Sequence, residues 1–257
     1  MYNDWFKIGS VTVHGYGVMI AVGILFAFWL SERLAKRQGL DHEKIDGMIF
    51  FVLIFGFIGA KVLYIFTVFD TFLKNPIAVL GNEGFVVYGG IIAGIIAGWF
   101  YCKWKKWDFI KYANVLMPAV SLAQGFGRIG CFFAGCCYGI TTNAWYGVEF
   151  PADSLGPGAG IKVIPTELIS SAGNFLIFAF LLRNLTKGKH PEDTAAWYLV
   201  LYGLGRFLVE FLRGDLVRGH IAFLSTSQFI SIFVFLLGTF MLWYRQNHSD
   251  VKKEIAA

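Results

Sequence analysis

The chain has 257 residues, of which 56% are hydrophobic and only 15% are charged, and its mean hydropathy is +0.60. A soluble domain is about one-quarter charged, so this composition excludes an ordinary soluble enzyme. Apolar runs of about 20 residues recur along the chain, which predicts an all-α integral membrane protein. The net charge of +5 does not indicate nucleic-acid binding, because the basic residues follow the predicted membrane topology.

Seven transmembrane helices are predicted within a single membrane domain over residues 1–257. In chain order they cover about 16–33, 47–69, 85–102, 112–135, 166–183, 195–212 and 223–244. The first 15 residues lack the basic segment and the small-residue cleavage site of a secretory signal peptide. Residues 136–165, the longest segment outside these spans, contain DSLGPGAG and are predicted to form a loop.

The basic residues outside the spans set the predicted orientation. The segments 31–46, 103–111, 183–194 and 245–257 hold 14 of the 22 Lys and Arg residues. The N-terminus and the segments 69–84, 136–165 and 213–222 hold five, one of which is Arg218. Lys and Arg accumulate on the cytoplasmic side of a membrane, so the N-terminus is predicted to lie outside and the C-terminus inside.

Three cations remain within the predicted spans: Lys61, Arg128 and Arg206. A charged side chain in hydrocarbon costs roughly 2.5–3.5 kcal/mol, so each needs a partner or a function. Lys61 has a simple explanation, since it could reach the interface or pair with a carboxylate. Arg206 and Glu210 are four residues apart on one helix and could form an ion pair, with Arg213 three residues beyond.

Polar side chains from several spans are predicted to share one depth near the outer leaflet. These residues are Tyr16, Lys61, Tyr88, Arg128, Arg206 and Glu210, with Arg213 at the outer rim. Arginine suits phosphate because its planar fork donates two parallel hydrogen bonds. The pattern therefore favours a site for an anionic phospholipid headgroup. The alternative is a self-contained network of ion pairs that holds the helices together.

Glycines recur at spacings that allow close helix packing. They include Gly89 and Gly90 in span 3, and Gly127 and Gly130 in span 4. Most such glycines are predicted to serve packing. Gly127 and Gly130 are the stronger candidates for substrate contact, because they flank Arg128 and clear space beside it.

The chain also resembles a known family over roughly residues 8–245. The segments that carry the resemblance are, in order, HGYGVMIAVG, GFIGAKVLYIF, YGGIIAG, GRIGCFFAGCCYG, PTELI, YGLGRFLVEFLRGD and STSQFISI. They are similar to those of prolipoprotein diacylglyceryl transferases. The most specific parts are GR-x-G at 127–130 and YGxxRFxxEFxR at 202–213. The family has seven spans with the N-terminus outside, which agrees with the topology predicted from charge.

The resemblance implies an enzyme of the bacterial cytoplasmic (inner) membrane with its active site toward the outer leaflet. Its members transfer the diacylglyceryl group of phosphatidylglycerol to the lipobox cysteine of an exported preprolipoprotein, and glycerol phosphate leaves. The implied partners are phosphatidylglycerol, the lipobox peptide and the bilayer, with no metal or cofactor. Arg128 and Arg206 would hold the phosphate, Glu210 would orient Arg206, and Tyr16 would line the headgroup pocket. The predicted substrate-binding set also contains Lys61, Gly89, Gly90, Gly127, Gly130, Tyr202 and Arg213.

The chain departs from the family pattern at several polar positions. Tyr88 stands where members have histidine, and tyrosine is a poor base at neutral pH. Cys131 replaces the asparagine after GR-x-G, and Ala134, Gly135 and Cys136 replace an Asn-Gly-Glu triplet. Asn114 stands where an aspartate is usual. The arginine part of the site is thus kept, and the acidic and amide part is replaced.

Cys131, Cys136 and Cys137 form a C-x4-C-C pattern that leaves four interpretations open. A zinc site is disfavoured because CxxC spacing is absent and the histidines are mostly in loops. A disulfide of Cys131 with Cys136 or Cys137 is possible on an oxidising outer side. The thiols could also serve packing. In the fourth interpretation a thiolate beside Arg128 is a nucleophile, which places Cys131 and Cys136 in the catalytic set with Tyr88.

Three other functions compete with the transferase that the resemblance implies. One is the same phospholipid donor with a different acceptor. Another is a phospholipid-binding relative that has lost turnover. The third is a membrane thiol oxidoreductase, which usually needs a CxxC pair and a quinone and leaves the arginines unexplained.

Overall fold

A computed structural model of the chain describes residues 3–9, 11–82, 84–152, 154–214, 220–221 and 223–255. Within these ranges the helices are α1 (Gly15–Arg37), α2 (Ile45–Thr67), α3 (Phe69–Lys74), α4 (Pro76–Gly81), α5 (Val87–Lys105), α6 (Phe109–Ala134), α7 (Thr166–Lys187), α8 (Thr194–Glu210) and α9 (Thr226–Ile255). A 3-10 turn at Pro191–Asp193 precedes α8. Each predicted span falls on a different long helix. Arg218, one of the five predicted outer cations, lies outside the described residues.

Five helices in the described part of the chain are long and apolar enough to cross a membrane. They are α1, α2, α6, α7 and the Thr226–His248 part of α9. α8 has 17 residues, which at about 1.5 Å per residue makes it shorter than a hydrocarbon core of about 30 Å. α5 has 19 residues, but four of them are glycines, which contribute little hydropathy. The chain is therefore a multi-pass helical membrane protein, and the spans at α5 and α8 and the orientation stay predictions.

Short antiparallel β-ribbons precede α1 and connect two pairs of helices, a feature that the all-α prediction did not include. In the described residues they pair β1 (Asp4–Ile8) with β2 (Val11–His14), β3 (Val148–Glu149) with β4 (Lys162–Val163), and β5 (His220–Ile221) with β6 (Leu224–Ser225). The predicted loop at 136–165 contains β3 and β4. Beneath it, Phe132, Phe150 and Val163 form a small buried apolar cluster.

The contacts of the chain group into two compact units, residues 31–112 and residues 1–30 with 113–257. In the first unit, α2 packs on α5 through Gly59, Gly89 and Gly90. A Cβ on Gly90 would lie 3.0 Å from the Gly56 carbonyl oxygen, and a Cβ on Gly59 would collide with the Ala93 side chain. The predicted close packing by glycine is confirmed here. The single membrane domain stays a prediction.

In the second unit, polar side chains tie α6 to α7 at two places. Ser121 donates to the Asn174 carbonyl oxygen at 2.8 Å, and Ser171 donates to the Gly125 carbonyl oxygen at 2.9 Å. Such bonds hold helices together where hydrocarbon offers no competing partner. Glycine sets the next contact, between α8 and α9. A Cβ on Gly203 of α8 would lie only 3.0 Å from the Ser231 carbonyl oxygen, so a larger residue there would push α9 away.

Asn114, one of the departures from the family pattern, has a structural role. It is buried on α6, and its side-chain oxygen accepts a hydrogen bond from the Ala195 backbone N–H at 2.7 Å. Ala195 is the second residue of α8, so this bond satisfies one of the unpaired N–H groups at a helix start. The interpretation of Asn114 as part of the replaced polar site is therefore wrong, since it binds the end of α8 opposite to Arg206 and Glu210.

Candidate active site

The predicted ion pair between Arg206 and Glu210 is confirmed. The Arg206 Nη2 and a Glu210 carboxylate oxygen lie 2.7 Å apart, and the two side chains are only 12% and 6% exposed. Arg206 also donates to the Ser227 hydroxyl at 2.9 Å, and Ser225 donates to Glu210 at 2.9 Å. Ser225 at the end of β6 and Ser227 at the start of α9 thus fix both partners. Sequence reasoning did not assign them, although they belong to the quoted STSQFISI segment.

Part of the Arg206 guanidinium is left unused by this network. Its Nη1 is buried and has no hydrogen-bond partner among the described residues, and the same holds for the side-chain oxygen of Asn174. Both residues line a cavity of about 60 Å³. A buried donor and a buried acceptor that both lack a protein partner indicate a place for a polar ligand.

Arg128 lines the same cavity, together with Tyr202 of α8. Arg128 and Arg206, which the sequence predicts at one depth, therefore line one cavity. Within the described residues the Arg128 side chain has no hydrogen bond or ion pair that would occupy its donors. Tyr202 is held in place by stacking on Tyr198, whose hydroxyl donates to Gln124 at 3.0 Å. Two guanidiniums from different helices thus line one small cavity whose walls are otherwise mainly apolar.

The two glycines beside Arg128 have different surroundings. A Cβ on Gly130 would lie 3.1 Å from the backbone oxygen of Tyr16 and 3.2 Å from its ring, so Gly130 lets α6 approach α1 at that tyrosine. A Cβ on Gly127 would meet nothing within 4 Å. Gly130 therefore brings Tyr16 to the arginine-bearing turn, whereas Gly127 borders open space that a ligand could enter.

The three clustered cysteines converge because of the way α6 ends. The helix stops at Ala134, and Gly135 adopts a left-handed backbone with φ of +73°. The Gly135 N–H then bonds to the Phe132 carbonyl, and the Cys136 N–H bonds to the Cys131 carbonyl at 3.2 Å. This pair of hydrogen bonds is a Schellman motif, for which glycine is the favoured residue. It places Cys136 directly back against Cys131.

Cys137 completes the group. It also has a positive φ, +72°, which is unusual for a residue with a side chain. The three sulfur atoms all lie within 4.8 Å of one another, and none of the three cysteines forms a disulfide bond in the described part of the chain. Hydrogen bonds with the Cys131 and Cys136 thiols, together with the Arg213 guanidinium, lower the pKa of the Cys137 thiol. Of the three thiols, Cys137 is therefore the one that most readily carries a negative charge.

Three chain segments join beside these thiols and hold Arg213. Gly139 forms an isolated β-bridge with Arg213, and the N–H of Ile140 bonds to the Leu212 carbonyl at 2.9 Å. On the other side, the N–H of Gly139 bonds to the Ile164 carbonyl at 2.9 Å. Backbone hydrogen bonds thus connect the turn after α6 to the segment after α8 and to the segment before α7. This pairing positions Arg213.

Glu167 is a candidate residue that sequence reasoning missed. It lies in the first turn of α7, is 1% exposed, and neither carboxylate oxygen has a hydrogen-bond partner of normal geometry among the described residues. Its neighbour Thr166 donates to the Cys137 carbonyl at 2.8 Å. The charges that act on Glu167 come from Cys137, Arg213 and Arg128. The PTELI segment contained this signal, because a carboxylate there has no obvious partner in the sequence.

Lys61, in the other compact unit, has its own partners. Its ammonium group donates to the Asn82 backbone oxygen at 2.7 Å, to the Asn82 side-chain oxygen at 3.1 Å and to the Gly84 carbonyl oxygen at 3.3 Å. An ammonium group has three donors, and all three are occupied. Lys61 therefore closes the loop before α5. Substrate binding by Lys61, as predicted, would require N–H donors that are already bonded to this loop.

Tyr88, Gly89 and Gly90 lie in the first turn of α5. The two glycines form the contact with α2 described above, and Tyr88 is half-buried. Substrate binding by the glycines and a catalytic role of Tyr88 stay predictions.

Comparisons with known proteins agree with these features. The sequence profile described as prolipoprotein diacylglyceryl transferase matches residues 3–244. A phosphatidylglycerol–prolipoprotein diacylglyceryl transferase of Clostridium tetani is 44% identical over 92% of this chain and 94% of its own length. A second, from Clostridium perfringens, is 42% identical over 96% of both chains, and one from Finegoldia magna is 32% identical over 92% of both. The chain with this paired-arginine cavity therefore belongs to the prolipoprotein diacylglyceryl transferase family.

Proposed function

We propose that this chain transfers the diacylglyceryl group of phosphatidylglycerol to the lipobox cysteine thiol of a lipoprotein precursor. The observation that carries the proposal is the cavity lined by Arg128 and Arg206, in which buried guanidinium donors remain unused. Phosphate is the part of the donor lipid that such donors recognise. The names of the relatives supply the donor and the acceptor class.

The charge of the reaction explains why two cations are needed. The acceptor sulfur attacks the glycerol carbon of the diacylglyceryl group, a C–S bond forms, and the C–O bond to phosphate breaks. The phosphodiester carries one negative charge, and the departing glycerol phosphate carries about two near neutral pH. Arg128 and Arg206 are in place to stabilise the charge that develops on the leaving oxygen. Glu210 and Ser227 hold Arg206 so that it does not need to reorganise during the reaction.

The cavity also offers an acceptor to the headgroup. The Asn174 side-chain oxygen has no partner among the described residues and lines the same space as the arginines. A glycerol hydroxyl of phosphatidylglycerol could donate to it, whereas a headgroup without a hydroxyl would leave it unpaired. Because an unpaired buried polar group costs about 1–3 kcal/mol, Asn174 would favour phosphatidylglycerol over phosphatidic acid.

The proton of the acceptor thiol also needs a destination. Glu167 is a buried carboxylate whose oxygens lack partners among the described residues, and its charge interacts with that of Arg128. We assign it as the proton acceptor, a role that Tyr88 fills poorly at neutral pH. A covalent route through Cys131 or Cys136 is less suitable, because a thioether on the enzyme would have to be cleaved again in the second step. Replacing either cysteine by serine tests that route directly.

The proposed setting is the bacterial cytoplasmic membrane, with seven spans and the N-terminus outside. The excess of Lys and Arg in alternate loops supports this orientation. Arg128 lies six residues before the end of α6 and Arg206 four residues before the end of α8. With the predicted orientation both helix ends face outward, so the cavity opens toward the outer leaflet, where exported precursors arrive.

One assay tests the proposal. Purified protein in phosphatidylglycerol nanodiscs is incubated with a lipobox peptide, and the thioether product and glycerol phosphate are both measured. We expect stoichiometric formation of the two products, and loss of both in Arg128→Ala and Arg206→Ala. Arg37→Ala, at the exposed end of α1, is the matched control and should retain activity.

The other outcomes separate the competing functions. Glycerol phosphate without peptide modification would indicate a different acceptor. Phospholipid binding without either product would indicate a non-catalytic relative. Full activity in both arginine variants would contradict the assignment of the cavity as the phosphate site.

A further inference from the structure

The thiol cluster of Cys131, Cys136 and Cys137 has no role in the phosphate chemistry described above. Specific features of the backbone nevertheless hold it together: the Schellman motif at Gly135 returns Cys136 to Cys131, and Cys137 adopts an unusual backbone conformation. The Cys137 carbonyl is in turn held by Thr166 at 2.8 Å. Three separate features thus keep three thiols in one place.

The spacing of the sulfurs fits a metal ion. All three lie within 4.8 Å of one another. In a tetrahedral zinc site with Zn–S bonds of about 2.3 Å, sulfur atoms are separated by about 3.8 Å. Side-chain rotations alone can close that difference. The absence of CxxC spacing, which spoke against zinc in the sequence, is offset because the helix end brings C-x4-C-C residues together.

The surroundings suit a site with excess thiolate charge. Three thiolates around a divalent ion carry a net charge of minus one, and the Arg128 and Arg213 guanidiniums act on these sulfurs. Both arginines therefore stabilise the loaded cluster. Three sulfurs also fill only three corners of a tetrahedron, and an open fourth position is typical of catalytic rather than structural zinc sites.

We propose that Cys131, Cys136 and Cys137 bind a thiophilic d10 cation of the zinc class, whose open fourth position takes the acceptor thiol. This inference rests on the proposed transferase function and deepens it. Coordination turns the acceptor thiol into a thiolate, and its proton passes to the Glu167 carboxylate, the proton acceptor assigned above. The bound sulfur then forms the C–S bond while the C–O bond to phosphate breaks, and glycerol phosphate takes the electron pair. The product sulfur is a thioether, a weak ligand, so it leaves and the position reopens.

Metal binding is tested first, with the full-length protein in detergent. The protein is reduced with a phosphine, stripped with a chelator and titrated with Cd²⁺ or Co²⁺, followed by thiolate-to-metal charge-transfer absorption. We expect one equivalent to bind, and Zn²⁺ but not Mg²⁺ to displace the bound Co²⁺. Each of Cys131→Ser, Cys136→Ser and Cys137→Ser should weaken binding by about tenfold or more.

Cys102→Ser is the matched control, because Cys102 lies on α5 outside the cluster. It should leave the metal affinity unchanged. Failure of the wild-type protein to bind one equivalent would overturn the proposal, and so would unchanged binding in all three cluster variants. Oxidation of two cluster thiols to a disulfide in the freshly purified, metal-exposed protein would overturn it as well.

The open position is tested with the Co²⁺-loaded protein. A lipobox peptide should change the cobalt spectrum to that of four thiolates, and the same peptide with serine in place of cysteine should not. No change with the cysteine peptide would overturn the assignment of the acceptor to this position. Metal removal should lower the transfer rate about tenfold or more, with recovery on Zn²⁺ addition. Full transfer by the metal-free protein would refute the zinc step and leave the proposed function intact. No transfer under any condition would refute the proposed function. In that case the metal titration would still decide whether the cluster binds a metal.

Discussion

Glu210→Gln is the most informative single change at the arginine site, because it removes a charge and little else. The variant keeps the shape of the side chain and an oxygen that can accept from Ser225. It leaves Arg206, whose side chain is only 12% exposed, without the carboxylate that balances its charge. Two unit charges about 4 Å apart interact by about 4 kcal/mol at an effective dielectric constant near 20, and breaking a buried pair costs about 3–5 kcal/mol. We expect unfolding stability to fall by an amount in this range.

The double variant Arg206→Gln/Glu210→Gln distinguishes electrostatics from simple disruption. With both charges gone, no uncompensated ion is left, so most of the lost stability should return. Transfer activity should be lost in the double variant, because the Arg206 guanidinium that would donate hydrogen bonds to the phosphate is missing. Stability is measured by chemical denaturation in detergent, and activity by thioether formation. Glu43→Gln, at an exposed position before α2, is the control. A double variant as unstable as Glu210→Gln would refute this reasoning.

The remaining predictions concern the neighbourhood of that pair. Gly130→Val should separate α1 from α6 at Tyr16 and strongly lower transfer activity, as measured by thioether formation. Gly127→Ala should leave the free energy of unfolding unchanged or raise it by about 0.5–1 kcal/mol, as measured by thermal denaturation. Lys61→Met should lower stability by about 1 kcal/mol with no change in phosphatidylglycerol affinity, and reduced affinity would return Lys61 to the binding site. Glu167→Gln should lower the rate of transfer at neutral pH but leave the lipid affinity intact, as measured by single-turnover and binding assays.

The arginine part of the site could be predicted from the sequence, because it depends on residue spacing within one helix and on the cost of a charge in the membrane. The pairing of Arg206 with Glu210 follows from a spacing of four residues on one helix. The importance of Arg128 follows from the cost of a cation in hydrocarbon. Lys61 met the same energetic criterion, but its partners are the backbone oxygens of a loop. No spacing rule relates a helix lysine to carbonyl groups more than twenty residues away, so its role could not be predicted.

The partners that complete the site come from segments distant in sequence. Ser227 reaches Arg206, and Asn174 borders the cavity, only because α7 and α9 pack beside α8. A serine or an asparagine within an apolar helix carries no clear signal on its own, since it can bond to its own helix backbone. Asn114 shows the converse, because its departure from the family pattern suggested a site residue and the structure uses it to cap α8.

The convergence of the three thiols could not be predicted from a spacing rule, because α6 ends between Cys131 and Cys136. C-x4-C-C does not match the CxxC pattern, which describes turns that return after two residues. Gly135 at the position after α6 makes the chain return over the last helical turn instead, and this return depends on a left-handed backbone. The sequence does contain that signal, as glycine immediately before Cys136. The resemblance to the family implies an amide and a carboxylate at the positions of Cys131 and Cys136. A carboxylate can accept the proton of the acceptor thiol directly, whereas a metal held by three thiolates would make that thiol acidic. Under the proposed metal site the replacement therefore changes how the acceptor is activated and leaves the proposed phosphate site of Arg128 and Arg206 unchanged.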